Sequence, residues 1–232
     1  MSQATAARAA QRLAFVRAEL GGHAPAPVSA SSDAGFRSYW RTQDSAGRSL
    51  IVMDSPPARE DVRPWLRLRE VFEAGGVRVP RVVAQDLEAG FLLLEDLGRP
   101  TLLQVVDAGN ADTWFARARE QLLRIQHIAP PVELAHYDDA LIRRELALFT
   151  QWFLGRHLGV TLDAAERHAL ADVFDRLVAA FIRQPQVLVH RDFMPRNLMP
   201  LQEGLAVLDF QDAVRGPLAY DVLSLFKDAF VS

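Results

Sequence analysis

The chain has 232 residues, of which 50% are hydrophobic and 24% charged, and its formal net charge is −3. This length is sufficient for a full core in one or two domains, and the small charge gives no general attraction to nucleic acid or anionic membranes. The absence of cysteine excludes disulfides and thiolate metal sites, and no apolar run approaches the roughly 20 residues that span a bilayer.

The first hundred residues predict five strands with one inserted helix. An Ala- and Arg-rich opening segment suggests either a transit peptide or an amphipathic helix ending at Gly21-Gly22; its scarcity of Ser and Thr favours the helix. Alternation and turn residues then predict strands over 25–30, 36–42, 48–54, 81–85 and 91–95. Helical periodicity over 60–74 places a helix between the third and fourth strands.

The remainder of the chain is predicted to be mainly helical. Long amphipathic segments cover 111–128, 138–157 and 163–183, and two short strands, 187–190 and 205–209, precede a helix from Pro217. The order of elements predicts an α+β, bilobal protein-kinase-like fold. Its N-terminal lobe of five antiparallel strands would span residues 1–97, and its helical C-terminal lobe residues 98–232, with a hinge near Leu97.

The two short strands of the second half carry the most informative motif. The first leads into His190-Arg191-Asp192, with Asn197 five residues after the aspartate, and the second ends at Asp209-Phe210. This is the H-R-D-x-x-x-x-N plus D-F-x arrangement of protein-kinase-like phosphotransferases. One carboxylate orients the proton of an attacking hydroxyl, while an amide oxygen and a second carboxylate hold Mg²⁺ against the phosphates of ATP.

Several further segments, taken with this motif, resemble the aminoglycoside phosphotransferase and choline kinase-like family of small-molecule kinases. Within that family the likeness is strongest to bacterial kinases that phosphorylate the anomeric hydroxyl of N-acetylmuramate and N-acetylglucosamine. The matching segments are 32–41, 51–57, 91–98, 144–149, 152–153 and 190–221.

The resemblance implies a role for each motif residue. Asp192 would face the sugar hydroxyl, Asn197 and Asp209 would bind Mg²⁺, and Asp221 would accept hydrogen bonds from the catalytic loop. Arg196, next to Asn197, would steady the transferring phosphoryl group or lie on the surface. Nucleotide contacts are also expected from the phosphate-covering loop and the hinge, namely Ser32, Gly35, Glu95 and Leu97.

The chain departs from the kinase pattern at the third strand, where a lysine normally contacts the α- and β-phosphates. The candidate position is Met53, and Lys227 is the single lysine in the sequence. Arg37 and Arg41 are the nearest cations that could take its place, although either could face solvent. Glu70, on the next helix, would be either the usual partner of the missing lysine or a solvated residue.

The acceptor side is less defined. Glu145 and Trp152 lie seven residues apart and would share one helix face, where they would bind a sugar or, for the tryptophan, join the core. Asp212 would face the substrate, the metal or the amides of the loop. The last helix is still apolar at residues 226, 230 and 231, which suggests either a C-terminal truncation or a partner that covers it.

Two other functions compete with the amino-sugar kinase. A kinase of a cationic acceptor, such as an aminoglycoside or choline, should have a markedly acidic helical region, but residues 132–183 hold eight acids against six arginines. A nucleotide-binding module without catalysis agrees with the missing lysine, but it would not need Asp192. The expected protein is cytoplasmic and acts on a small sugar, without nucleic acid or membrane as a partner.

Overall fold

The computed structural model describes residues 3–32 and 36–227 of the chain. The helices are α1 (Gln3–Leu20), α2 (Arg63–Ala74), α3 (Leu102–Val105), α4 (Ala111–His127), α5 (Asp139–Leu148), α6 (Ala164–Ile182) and α7 (Ala219–Phe226). The strands are β1 (Val28–Ser32), β2 (Ser38–Gln43), β3 (Ser49–Asp54), β4 (Val82–Asp86), β5 (Phe91–Glu95), β6 (Gln186–Val189), β7 (Leu198–Pro200), β8 (Leu205–Val207) and β9 (Val214–Pro217). A π-helical segment, Phe149–His157, continues α5, and a 3₁₀ turn spans Pro195–Asn197.

The chain divides into two compact units. The first is Met1–Val105 with Leu198–Gln211, and the second is Val106–Asn197 with Asp212–Ser232. The hairpin of β7 and β8 groups with the first unit because Val207 N donates to Arg78 O at 2.7 Å and because Phe210 packs on α2. The division into lobes at residue 97 remains a prediction; it differs from these units mainly in the placement of this hairpin.

The predicted five-stranded sheet of the first unit is confirmed. Its order is β1-β2-β3-β5-β4, and every neighbouring pair is antiparallel. A hairpin joins β2 to β3, and α2 lies in the chain between β3 and β4. Met53 stands opposite Tyr39 and Leu92 and has no solvent exposure, so the middle of β3 belongs to the core.

Helix α1 packs on this sheet through an aromatic stack and a buried ion pair. The rings of Phe15 and Phe91 lie 5.5 Å apart. Arg12 Nη1 donates to Asp54 Oδ2 at 2.8 Å, and Arg8 Nε donates to Oδ1 at 2.8 Å. Two arginines thereby offset the cost of burying one carboxylate. The helix predicted at the start of the chain is thus part of the first unit.

The helices predicted over 111–128 and 163–183 are α4 and α6, with each end within one residue of its predicted position. The helix predicted over 138–157 is α-helical only as far as Leu148. It continues as the π-helical segment, in which each backbone hydrogen bond spans five residues instead of four. Within residues 3–32 and 36–227, no helix is both long and apolar enough to cross a membrane.

The two strands that carry the motif do not pair with each other. β6 pairs with β9, and β8 pairs with β7; both pairs are antiparallel. The sequence does not predict β7 or β9, because each has only three or four residues and includes a proline. Such short segments lack the alternation that identifies a half-buried strand.

Candidate active site

The His190-Arg191-Asp192 loop follows β6 and is held by one buried carboxylate. Asp221, on α7, is 1% exposed, and its oxygens accept from His190 N at 2.7 Å and from Arg191 N at 3.0 Å. Burial raises the pKa of Asp221 to about 7, the two N–H bonds oppose this shift, and the charge of Asp192 adds to it. The acceptor role expected of Asp221 is therefore observed.

The backbone carbonyl of Asp192 closes the loop that follows β6. Met194 N and Asn197 Nδ2 both donate to Asp192 O, each at 2.9 Å. The bond fixes the Asn197 amide with its nitrogen end toward the loop, so its oxygen is the end suited to a cation. Arg196 lies between them in the 3₁₀ turn and is exposed. The structure thus brings Asp192 and Asn197 into one short, internally bonded loop.

Asp209 is anchored in the first unit by the residue that follows it. Phe210 has no solvent exposure, and its ring lies 5.1 Å from that of Trp65 and 5.3 Å from that of Phe72, both on α2. Gln211 Nε2 donates to Asp209 Oδ1 at 2.7 Å. Asp209 has a left-handed backbone with φ of 64°, which an aspartate tolerates better than most residues. These contacts fix both the backbone and the carboxylate.

Arg37 lies next to Asp209 and is buried. Its side chain is 6% exposed, with Nη2 3.8 Å from Asp209 Oδ1 and Nε 3.5 Å from Glu60 Oε1. These distances are longer than those of good hydrogen bonds, so both contacts are mainly electrostatic. Ser55 Oγ donates to Glu60 O at 3.0 Å and fixes the loop after β3. A guanidinium therefore stands near Asp209 within the first unit.

Arg41, the other candidate cation, is committed elsewhere. Its Nε donates to Asp96 Oδ2 at 2.6 Å and its Nη2 to Asp96 Oδ1 at 3.1 Å, a bidentate pair that links β2 to the segment after β5. Met53, at the position expected for the strand lysine, is fully buried. Glu70 is exposed on α2. Of the two arginines, the structure places Arg37 beside Asp209.

Glu95 and Leu97, the two residues predicted to contact nucleotide at the end of β5, have different surroundings. Glu95 pairs with Arg78 Nη2 at 2.6 Å, and its backbone N donates to Arg81 O at 2.9 Å. Burial raises the pKa of Glu95, but its hydrogen bonds with the two arginines outweigh burial and lower it. Leu97 is partly exposed. Glu95 is thus engaged by arginines, whereas Leu97 has a partly exposed side chain.

Part of the predicted phosphate-covering loop lies outside the described residues. Ser32 is the last residue of β1, and its backbone pairs with Ser38 of β2. Gly35 belongs to the stretch 33–35, which the structure does not describe. The contacts predicted for Ser32 and Gly35 therefore remain predictions.

The three acceptor candidates also differ in their surroundings. Glu145, on α5, is partly buried and accepts from Arg191 Nη2 at 2.6 Å. Trp152, in the π-helical segment, is 53% exposed, and the guanidinium of Arg156 lies 4.1 Å from its ring centroid. Asp212 is exposed. Since a π-helix turns less per residue than an α-helix, the seven-residue spacing no longer keeps Glu145 and Trp152 on one face.

Residues 26–232 match the sequence profile of the phosphotransferase enzyme family. The chain belongs to this family. Among curated relatives, the N-acetylmuramate/N-acetylglucosamine kinase of Pseudomonas aeruginosa is 51% identical over 88% of the chain and 60% of the relative. The kinase of the same name from Neisseria meningitidis is 38% identical over 87% of the chain and 61% of the relative. The chain thus spans about three fifths of these relatives.

Solved structures of two other phosphotransferases share the fold of this family member. The ADP-bound aminoglycoside phosphotransferase APH(2'')-Ib has a TM-score of 0.66 at 16% identity, with 95% of the chain and 76% of that structure covered. The choline kinase LicA from Streptococcus pneumoniae has a TM-score of 0.65 at 15% identity, with 94% and 75% covered. At such low identity the likeness concerns the fold alone.

Three residues near the site of this phosphotransferase-family chain escaped the sequence analysis. Glu60 and Gln211 contact Arg37 and Asp209, respectively, and Tyr137 donates to Glu145. Gln211 carried the clearest signal, because it stands where the D-F-x motif has its third residue. No sequence pattern indicated Glu60 or Tyr137. The partner of Glu60, Arg37, lies far away along the chain, and the partner of Tyr137, Glu145, belongs to no motif.

Proposed function

We propose that this protein transfers the γ-phosphoryl group of ATP to the anomeric hydroxyl of N-acetylmuramate or N-acetylglucosamine. The observation that carries the proposal is the closed loop of Asp192 and Asn197, held by Asp221, in a chain half identical to a kinase named for these sugars. The transfer would be direct and in line, with no phosphoenzyme.

Asp192 is the proposed catalytic carboxylate. It would accept a hydrogen bond from the sugar hydroxyl, orient the oxygen for attack on the γ-phosphorus and take its proton as the new O–P bond forms. Arg196, exposed in the adjoining 3₁₀ turn, would offset charge on the transferring phosphoryl group. A nucleotide-binding module without catalysis would not need a loop that fixes Asp192 in this way.

Asn197 and Asp209 would hold Mg²⁺. Their donor types fit the ion, because Mg²⁺ prefers carboxylate and amide oxygens and retains several waters. The Asn197 amide is turned so that its nitrogen bonds the loop, and the Asp209 carboxylate is oriented by Gln211. When bound, the ion neutralises charge on the phosphate oxygens.

Arg37 is the proposed substitute for the missing strand lysine. It is a buried cation between Glu60 and Asp209, so its charge acts in a low effective dielectric. Backbone groups of Leu97 at the hinge, and of Glu95 through its carbonyl, would bind the base of ATP. The loop with Ser32 and Gly35 would cover the phosphates. Arg41, paired with Asp96, would support the hinge instead of binding nucleotide.

The acceptor is proposed to be an uncharged or anionic sugar. The mild excess of two acids over residues 132–183 gives little attraction for a polycation. Trp152, with about half of its surface exposed, would stack on the sugar ring, and Asp212 would accept from a sugar hydroxyl. We propose that this reaction serves the recycling of cell-wall sugars in the cytoplasm, where ATP is available.

The test is ADP release with Mg-ATP and each of four acceptors: N-acetylmuramate, N-acetylglucosamine, kanamycin and choline. Phosphorus NMR of the product would identify the phosphorylated atom. The assay should include any longer form that the gene encodes, because the chain spans about three fifths of its relatives. A sugar 1-phosphate is expected. Turnover of kanamycin or choline alone would contradict the proposal.

A further inference from the structure

Glu145 accepts hydrogen bonds from two side chains of the second unit, Arg191 and Tyr137. Its Oε1 accepts from Arg191 Nη2 at 2.6 Å, and its Oε2 accepts from the hydroxyl of Tyr137. The Glu145 and Arg191 side chains are 26% and 25% exposed, respectively, so the ion pair is largely shielded from water. Both carboxylate oxygens are thus engaged within the second unit.

Tyr137 gives this carboxylate a fixed partner. The residue is 6% exposed, and its backbone N donates to Arg215 O at 2.8 Å. Its ring packs edge-on against that of Tyr220 at 5.1 Å, and Tyr220 directly precedes Asp221 on α7. Burial and the Glu145 carboxylate both raise the pKa of the Tyr137 hydroxyl, which therefore remains a donor at neutral pH.

Arg191 is held at both of its ends. Its backbone N donates to Asp221 and its guanidinium to Glu145. Its backbone is left-handed, with φ of 76°, a conformation that a long side chain disfavours and that its surroundings must maintain. Asp192 is the next residue, so the conformation of Arg191 sets the direction in which the chain presents the catalytic carboxylate.

We infer that Glu145 is a positioning residue, which holds the Asp192 loop in its active conformation through Arg191 instead of binding the sugar. This inference rests on the proposed function of Asp192. In kinases that are switched by phosphorylation, a phosphate group orders a loop by pairing with an arginine. The Glu145 carboxylate on α5 would order the Asp192 loop in the same way, by pairing with Arg191. The loop would then need no modification to become ordered.

The test compares Glu145→Gln, which keeps the size of the side chain and removes its charge, with Tyr137→Phe, which removes one donor. Asp175→Asn is the matched control. Asp175, on α6, pairs at 2.7 Å with Arg143, which lies on α5 like Glu145, but Asp175 is exposed. The readouts are kcat, the KM of the sugar, and amide hydrogen exchange over residues 190–197, measured on the intact chain.

For Glu145→Gln we expect kcat to fall about 10- to 100-fold, the sugar KM to stay unchanged, and exchange over 190–197 to accelerate. Tyr137→Phe should shift the same quantities in the same direction by less, and Asp175→Asn should shift none. A raised sugar KM with normal exchange would overturn the inference, because it would make Glu145 a sugar ligand. Normal kcat and exchange in Glu145→Gln would overturn it as well.

Failure of the proposed function would be distinguishable from failure of this inference. If the wild-type protein phosphorylates no acceptor, the proposed function fails, and the exchange measurement alone then decides whether Glu145 orders the loop. Arg191→Met provides a second variant for this purpose. It should accelerate exchange over 190–197 as Glu145→Gln does, and the double variant should add little, because both changes break the same contact.

Discussion

At the scale of single residues, the sharpest test concerns Asp192. Asp192→Asn should lower kcat at least about 100-fold, because an amide cannot accept the proton of the attacking hydroxyl. Binding of Mg-ATP should be unchanged, since the closure of the loop uses the backbone carbonyl of Asp192. Steady-state kinetics and calorimetric titration with Mg-ATP would measure the two quantities.

The matched control for this substitution is Glu203→Gln, which removes an exposed carboxylate from the turn between β7 and β8. It should leave both quantities at their wild-type values. Wild-type turnover in Asp192→Asn would remove Asp192 from its proposed role and with it the basis of the mechanism.

Arg37 allows a second test at this scale. Arg37→Met should raise the KM for ATP about 10-fold or more, because it removes one charged contact to the phosphates, typically worth about 1.5–3 kcal/mol. Initial rates at varied ATP would measure this. Arg48→Met, in the exposed turn before β3, is the control and should change nothing. An unaltered KM in Arg37→Met would exclude it as the substitute for lysine and make Arg41 the next residue to examine.

At the scale of elements, the catalytic loop depends on how α7 presents Asp221. Asp221→Asn should destabilise the fold by about 1–3 kcal/mol, because an asparagine can accept from only one of the two N–H groups and leaves the other buried without an acceptor. Urea unfolding would measure the loss. Asp212→Asn, an exposed change two residues before β9, is the control.

The contribution of Asp221 to the free energy of unfolding should decrease as the pH rises. The pKa of Asp221 is raised from 3.8 to about 7 by burial, so the folded state binds its proton more tightly than the unfolded chain does. Its contribution to stability is therefore complete below about pH 4 and is lost as the pH rises toward 7. The difference in unfolding free energy between wild type and Asp221→Asn should shrink over this interval. A difference that grows with pH would contradict the raised pKa.

At the scale of the whole molecule, the prediction concerns nucleotide binding. A ligand that binds only the folded state stabilises it by about 2.7 kcal/mol at 100 times its Kd. Mg-ADP at such a concentration should therefore raise the unfolding temperature of the protein in calorimetry, and EDTA should remove most of the increase. Asp209→Asn should abolish the increase if Asp209 is a metal ligand.

A shift that EDTA leaves intact would instead mean that nucleotide binds without the metal, against the role proposed for Asn197 and Asp209. Because the chain consists of two compact units, unfolding need not be a single transition. The position of each transition should therefore be recorded with and without ligand. Movement of at least one transition is the expected result.

Local patterns in the sequence were sufficient to predict the sheet, most of the helices and the motif residues. The strands β1 to β5 and the helices α4 and α6 follow from periodicity and turn residues, which are local signals. The motif could be identified in the sequence because Asp192 and Asn197 lie within one short segment, and Asp209 follows at the end of the next apolar run. Local signals failed where strands were very short, as in β7 and β9.

The partners of the charged side chains, in contrast, are set by the packing of the folded chain. The choice between Arg37 and Arg41 depended on Asp209 and Asp96, residues far away in the chain. Likewise, Glu145 meets Arg191 only because α5 and the catalytic loop pack in one unit. Long-range contacts of this kind depend on how the elements pack, and neither propensity nor spacing encodes that packing.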